Sequence, residues 1–134
     1  MAGYSGTPLL KKLGIKKDHK VNLINAPKDY MDFLEDDIEK QLIDKINDAD
    51  LIHLFVTSKA ELKKEFARII QQAKDGLVIW ISWYKKSSGI ATDITEDTIR
   101  NFALKNNLVD VKVCAVSDIW SGLKLVVPLN RRGK

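Results

Sequence analysis

The run Leu77 to Trp83, LVIWISW, constrains this chain more than any other stretch. Seven residues with almost no polar alternation suit a strand covered on both faces, and such strands belong at the centre of a parallel sheet. A sheet of that kind needs helices on both sides, so the flanking sequence must supply them.

It does supply them. Lys20 to Asn25 (KVNLIN) reads as a first strand, ended by Ala26 and Pro27. Ala49 to Val56 (ADLIHLFV) reads as a second buried strand. Ser58 then caps a long helix, with Glu61 three residues on forming a capping box. Leu62, Phe66, Ile69, Ile70 and Ala73 give that helix its apolar stripe, and Asp75-Gly76 stops it. After the central run, Thr95 is the N-cap of a further helix, and Glu96 and Asp97 favour its positive end. Ile99, Phe102 and Ala103 face inward there; Asn106 and Asn107 end it. Val109 to Val116 and Leu123 to Pro128 form two last strands, and a connection as short as SDIWSG makes them antiparallel neighbours.

Two segments are less determined. Thr7, Pro8 and Gly14 bracket TPLLKKLG as a one-to-two-turn helix. A helix from Lys28 to Glu35 follows the first strand, but Ile38, Leu42 and Ile46 suit one face of a helix and one side of a strand equally well. The stretch from 38 to 46 therefore stays open between more helix and an extra strand. The expected architecture is an α/β fold: a single three-layer Rossmann-like domain, its sheet mostly parallel and ending in an antiparallel C-terminal hairpin. At 134 residues the whole chain, 1 to 134, fits one such domain. Residues 129 to 134 read as a frayed basic tail.

Composition excludes several classes. With Cys114 as the only cysteine there is no internal disulfide and no thiolate cluster for zinc. Its neighbours, VKVCAVS, favour a buried, inert thiol. No apolar run is long enough to cross a bilayer and the start lacks a signal-peptide core, so a cytoplasmic location is the expectation. The net charge of +4 is uneven: residues 1 to 20 carry five lysines against Asp18, while Lys28 to Asp50 holds nine acids against three lysines. Neither basic end interleaves aromatics with its charges, which argues against nucleic acid as a partner.

Candidate site residues follow from the fold, because parallel sheets hold ligands beyond the carboxyl ends of their strands. Those ends offer Asn25, Ser58 and the loop SWYKKSSGIATDITED, Ser82 to Asp97. Within the loop, Lys85 and Lys86 can neutralise a phosphate or carboxylate, and Ser87, Ser88 and the Gly89 amide can donate to it. Trp83 at the strand exit faces core or cleft, and Thr92 and Asp93 contact a ligand or serve the helix start. His53 reads as a core histidine. Without a base and an orienting group beside any serine, no catalytic set stands out. Nor do the two histidines stand at metal-ligand spacing with carboxylates. No catalytic residue, metal or cofactor is therefore assigned. Trp120 at the hairpin reads as a core plug, and Gly122 as a position that other residues cannot fill.

At GYSGTPLLKKLGI, SWYKKSSGIATDITED and VDVKVCAVSDIWSGLKLV the chain resembles domain-of-unknown-function family 3052, a bacterial family of small proteins. That resemblance implies a single-domain bacterial cytoplasmic protein and supplies no reaction. A looser resemblance is to the second half of the Rossmann-like methyltransferase fold, whose late strands also end in a hairpin. Here the first strand runs into Asn25-Ala26-Pro27-Lys28-Asp29-Tyr30 without the glycines that a dinucleotide or adenosyl site needs. The expected function is a non-catalytic module for a small anionic ligand or a partner protein at the strand-end cleft. The rival is a transferase or hydrolase acting through the 82–97 loop on a phosphorylated or adenosyl substrate. An exposed edge strand would also suit a homodimer.

Overall fold

A computed structural model describes residues 8 to 128. Five strands form one sheet: β1 (Val21–Ile24), β2 (Leu51–Phe55), β3 (Val78–Tyr84), β4 (Val109–Ala115) and β5 (Trp120–Val126), in the spatial order β1-β2-β3-β5-β4. β1, β2 and β3 are parallel, whereas β5 runs antiparallel to both β3 and β4. The apolar run thus occupies the middle of the sheet, as its composition requires, and all of its residues but Val78 are buried.

Four α-helices accompany the strands: α1 (Leu9–Leu13), α2 (Tyr30–Leu34), α3 (Lys59–Gln72) and α4 (Glu96–Lys105). Because strand side chains alternate, β2 and β3 feed two separate apolar clusters. Ile52, Leu54, Ile79 and Ile81 meet Leu62, Phe66 and Ile69 of α3 and Ile99 and Ala103 of α4. Leu51, Phe55 and Trp80 meet Leu9 and Leu13 of α1 and Tyr30 and Leu34 of α2. Trp80 is fully buried, and its indole Nε1 donates to the Leu13 carbonyl at 2.9 Å. Gly14, at φ 76, closes α1 in the left-handed conformation that the sequence anticipates.

The ambiguous 38–46 stretch is neither a helix nor a full strand. Its Glu39–Gln41 and Ile46–Asp48 segments are single 3-10 turns. Between them Leu42 forms one parallel bridge to Val21, the Ile43 amide donates to the Val21 carbonyl at 2.9 Å, and Asn22 Nδ2 donates to the Ile43 carbonyl at 2.8 Å. The chain therefore steps to the outer side of β1 before returning past it to β2. The charges packed along this stretch, from Asp36 to Asp48, leave too few apolar residues to sustain a strand.

The hairpin differs from expectation in one respect. β5 begins at Trp120 rather than Leu123, so Trp120 and Gly122 lie in the strand. Trp120 is 8% exposed, edge-to-face with Phe55 at 4.9 Å and stacked on Tyr84 at 4.5 Å, which is the core plug its sequence position suggests. Gly122 is a steric requirement: an added Cβ would stand 3.1 Å from Val116 Cγ2 and 3.2 Å from Trp80 Cε3. Gly122→Ala is predicted to destabilise the domain by about 1–3 kcal/mol through overpacking. A urea midpoint equal to the parent's would show that the Trp80 contact yields freely.

Candidate functional site

The path of the chain decides where a ligand site would lie. From β1 it moves outward to Leu42, then crosses to β2 on the other side. In α/β sheets ligands are held beyond the carboxyl ends of the parallel strands. Those ends carry Asn25, after β1, and Thr57 and Ser58, after β2.

Polar groups do converge there. Asn25 adopts a left-handed backbone at φ 59, a conformation asparagine tolerates, and its Nδ2 reaches Glu61 Oε2 at 3.5 Å. The Ser58 hydroxyl accepts from the Glu61 amide at 3.2 Å, so Ser58 is the cap of α3. Glu61 does not complete a capping box on Ser58, however. Its carboxylate accepts instead from the Thr57 amide at 2.7 Å and the Thr57 hydroxyl at 3.3 Å. From the loop after β3, Asp93 Oδ1 accepts from the Lys59 amide at 2.8 Å, and the Thr92 hydroxyl donates to the Thr57 carbonyl at 2.9 Å.

This arrangement has an electrostatic consequence. Helix starts attract anions because their first amides are unpaired and carry partial positive charge. At α3 the chain's own Glu61 and Asp93 already hold that position. A phosphate arriving there would have to displace fixed carboxylates, so any attraction for an anion must come from lysines.

The lysines fall in two groups, one on the turn after β3 and one in a groove beside α4. Lys86 to Ser88 form a 3-10 turn, with Lys85 before it and Gly89 after it at φ 77. The Lys85 amide donates to the Ile119 carbonyl at 2.8 Å, Ser88 N to the Lys85 carbonyl at 3.0 Å, and Ile90 N to the Ser88 hydroxyl at 3.1 Å. The turn is therefore folded on itself and pinned to the β4–β5 hairpin. Its two ammonium groups and Ser87 remain on the surface. A groove of about 380 Å³ runs between the starts of α3 and α4, lined by Lys59, Thr95, Asp97, Thr98, Asn101 and Lys105, with Phe102 below. Thr95 and Thr98 there form a reciprocal capping box, a pairing that sequence analysis overlooks because Thr98 stands where glutamate is usual.

The structure thus gathers Asn25, Ser58, Thr92 and Asp93 at one corner, adds Thr57 and Glu61, and sets Lys85, Lys86, Ser87, Ser88 and Gly89 on a neighbouring turn. Trp83 does not join them. It is 6% exposed and packs in the cluster shared with α3 and α4, because its place in the strand alternation turns it to that face.

A serine and a histidine do meet elsewhere. His53 Nε2 lies 2.7 Å from Ser82 Oγ, and its Nδ1 lies 2.8 Å from the Tyr30 hydroxyl. The order matches a nucleophile, base and orienting group, but both His53 and Ser82 are fully buried and Tyr30 is 2% exposed. The position of an added Gly122 Cβ is 3.4 Å from Ser82 Oγ, so packing seals that side. The chain of hydrogen bonds ties α2 to β2 and β3 and satisfies three polar groups inside an aromatic cluster. Burial pushes the His53 pKa down to about 3 and the Tyr30 phenol well up. His53 is the hydrogen-bonded core histidine that its apolar surroundings indicate. Among the described residues, no cluster of three or more histidine, cysteine or carboxylate side chains has metal-binding geometry, and no helix is long and apolar enough to cross a membrane.

Known proteins place the fold but no activity. No protein-family model matches the chain, so the resemblance to family 3052 gains no support. No curated protein sequence matches it either. Among solved structures, a SAM dependent methyltransferase from Aquifex aeolicus superposes over 89% of this chain and 87% of its own, with a TM-score of 0.61 and 14% identity. The fold is Rossmann-like. A protein in the NADB-Rossmann superfamily from Streptococcus agalactiae matches 95% of the chain and 71% of its own at TM-score 0.55 and 9% identity. A tRNA methyltransferase of B. subtilis matches 88% and 64% at TM-score 0.57 and 11% identity. The likeness covers most of the Aquifex protein, not only its second half. At such identities it speaks for architecture alone.

The buried histidine yields a pH prediction. A folded pKa below the unfolded 6.5 means that the unfolded chain binds the extra proton. Stability from this source is complete above pH 6.5 and falls as pH drops toward 3, at no more than ~1.4 kcal/mol per pH unit. Combining Tyr30→Phe, His53→Phe and Ser82→Ala should flatten that slope in urea titrations between pH 7 and pH 4. An unchanged slope would place the acid sensitivity elsewhere.

Proposed function

We propose that this chain is a non-catalytic α/β module that holds a small anionic ligand at the carboxyl end of its sheet. The observation that carries the reading is the polar corner at the carboxyl ends of β1 and β2, in a molecule that also carries Lys85 and Lys86 on the turn after β3 and Lys59 and Lys105 along a groove beside α4. The lysines supply charge, while Ser87 and Asn101 offer polar contacts around it. A binding role is favoured over catalysis because the serine and histidine that do meet, Ser82 and His53, are sealed in the core. The three-layer, single-domain arrangement belongs to this reading too, since the two apolar clusters lie on opposite faces of one sheet.

A second reading has its own support. Two of the solved relatives in fold are methyltransferases, one of them described as SAM dependent. An adenosyl ligand presents hydroxyl donors, and the Glu61 and Asp93 carboxylates are acceptors at the same corner. This reading makes the chain a transferase, with the 82–97 loop beside the substrate.

Isothermal titration with pyrophosphate, ATP, acetyl phosphate and S-adenosylmethionine separates the two. The anion reading predicts saturable binding of one of the phosphates, weakened at least tenfold by combined Lys85→Ala and Lys86→Ala. Binding of S-adenosylmethionine alone, lost in Glu61→Ala and kept in the lysine variant, would favour the second reading. If none of the four gives heat, the strand-end site is wrong.

A further inference from the structure

The sheet carries a second exposed surface, far from that corner, on the β4–β5 side. Lys112 and Lys124 are directly opposite in antiparallel register and therefore point to the same face. Opposed side chains in such a pair have Cβ atoms roughly 5 Å apart, and like charges there repel. Lys12, at the end of α1, and Lys112 both lie close enough to the Cys114 thiol to act on it electrostatically. Residues of α1 and Cys114 share one apolar cluster, so Lys12 and Lys112, separated by 100 residues in the sequence, lie on the same side of the sheet. Among the described residues, no carboxylate is within ion-pair distance of Lys112 or Lys124.

Beside the lysines runs an apolar row. Val78, Val126 and Val109 are consecutive cross-strand partners on that same face. Val109 is 52% exposed, and neither it nor Val126 belongs to either apolar cluster. Val126 and Val78 are half-buried, and Val78 packs against the α1–α2 cluster, so Val109 is the open end of the row. A repulsive lysine pair beside it is a poor arrangement for an isolated domain. It suits a surface that is covered by something acidic and aliphatic.

We propose that this face docks an acidic amphipathic segment of another protein, its carboxylates on Lys112 and Lys124 and its aliphatic side chains on the Val78, Val126 and Val109 row. Charge complementarity selects that occupant. A nucleic-acid backbone would use the lysines but leave the valines without a role, and no aromatic or arginine lies in the row to stack a base. A second copy joining β4 to β4 would meet the register break between Asp110 and Lys112, a bulge of the kind that blunts such pairing. Asp110, moreover, is already engaged by Arg100 at 3.0 Å.

The test uses the full chain and a labelled synthetic peptide with glutamate and leucine at helical spacing, followed by fluorescence anisotropy at low salt. Saturable binding is expected, at least tenfold tighter than to an oligoglutamate of equal charge. Combined Lys112→Glu and Lys124→Glu should weaken it at least tenfold, and Val109→Thr several-fold. Lys112→Glu alone should leave the thermal midpoint of the free protein unchanged or raise it by a few degrees, because it replaces a repulsive pair with an attractive one. A merely structural lysine would show the reverse, a lower midpoint with binding intact. The proposal fails if the peptide does not saturate, if oligoglutamate or single-stranded RNA binds as tightly, or if sedimentation shows a dimer that the charge-reversed variant abolishes.

Discussion

Everything in this fold hangs on the covering of β3 from both sides. Its residues alternate between the α3–α4 cluster, through Ile79, Ile81 and Trp83, and the α1–α2 cluster, through Trp80. A strand so apolar cannot lie at an edge, so it draws β2 to one flank and β5 to the other. Trp80 adds a tie of its own, because its one polar atom is satisfied only if α1 brings the Leu13 carbonyl to it. Burial of the largest side chain in the core and the docking of the first helix are the same event.

The strand ends show how a Rossmann-like sheet can be kept while its usual anion site is altered. Helix α3 starts where a phosphate would be expected, yet Asp93 takes up its first amide, at Lys59, and Glu61 takes up the Thr57 amide just before the cap. Asp93 also fastens the loop after β3 to the corner after β2, together with Thr92. One bond, from the Lys59 amide to Asp93, thus both occupies the helix start and holds the segment that begins with Lys85 and Lys86.

Much of this was legible in the residues, and the exceptions have physical reasons. Strands β1, β2 and β3, the caps at Ser58 and Thr95 and the terminal hairpin all follow from apolar periodicity and local capping chemistry. Trp83 was ambiguous because a strand-exit residue owes its direction to the pleat, which a shift of one residue reverses. The role of Glu61 was misread because a capping box and a bond to the preceding amide use the same spacing. The Tyr30, His53 and Ser82 chain left no signal, since its members come from three elements and meet only after the sheet has formed. The meeting of Asn25 with Glu61 depended on strand order, which sequence does not carry.

The strap at Leu42 and Ile43 reaches beyond local geometry. Sheets that polymerise need two compatible free sides, one to accept a neighbour and one to offer the next. Here the β1 side is partly occupied by the chain's own backbone, through the Val21 bridge and the Ile43 amide. Growth by strand addition is thereby hindered at one end and broken by a bulge at the other. A chain rich in valine and isoleucine is in this way guarded against fibril formation by a few hydrogen bonds from a segment too charged to be a strand.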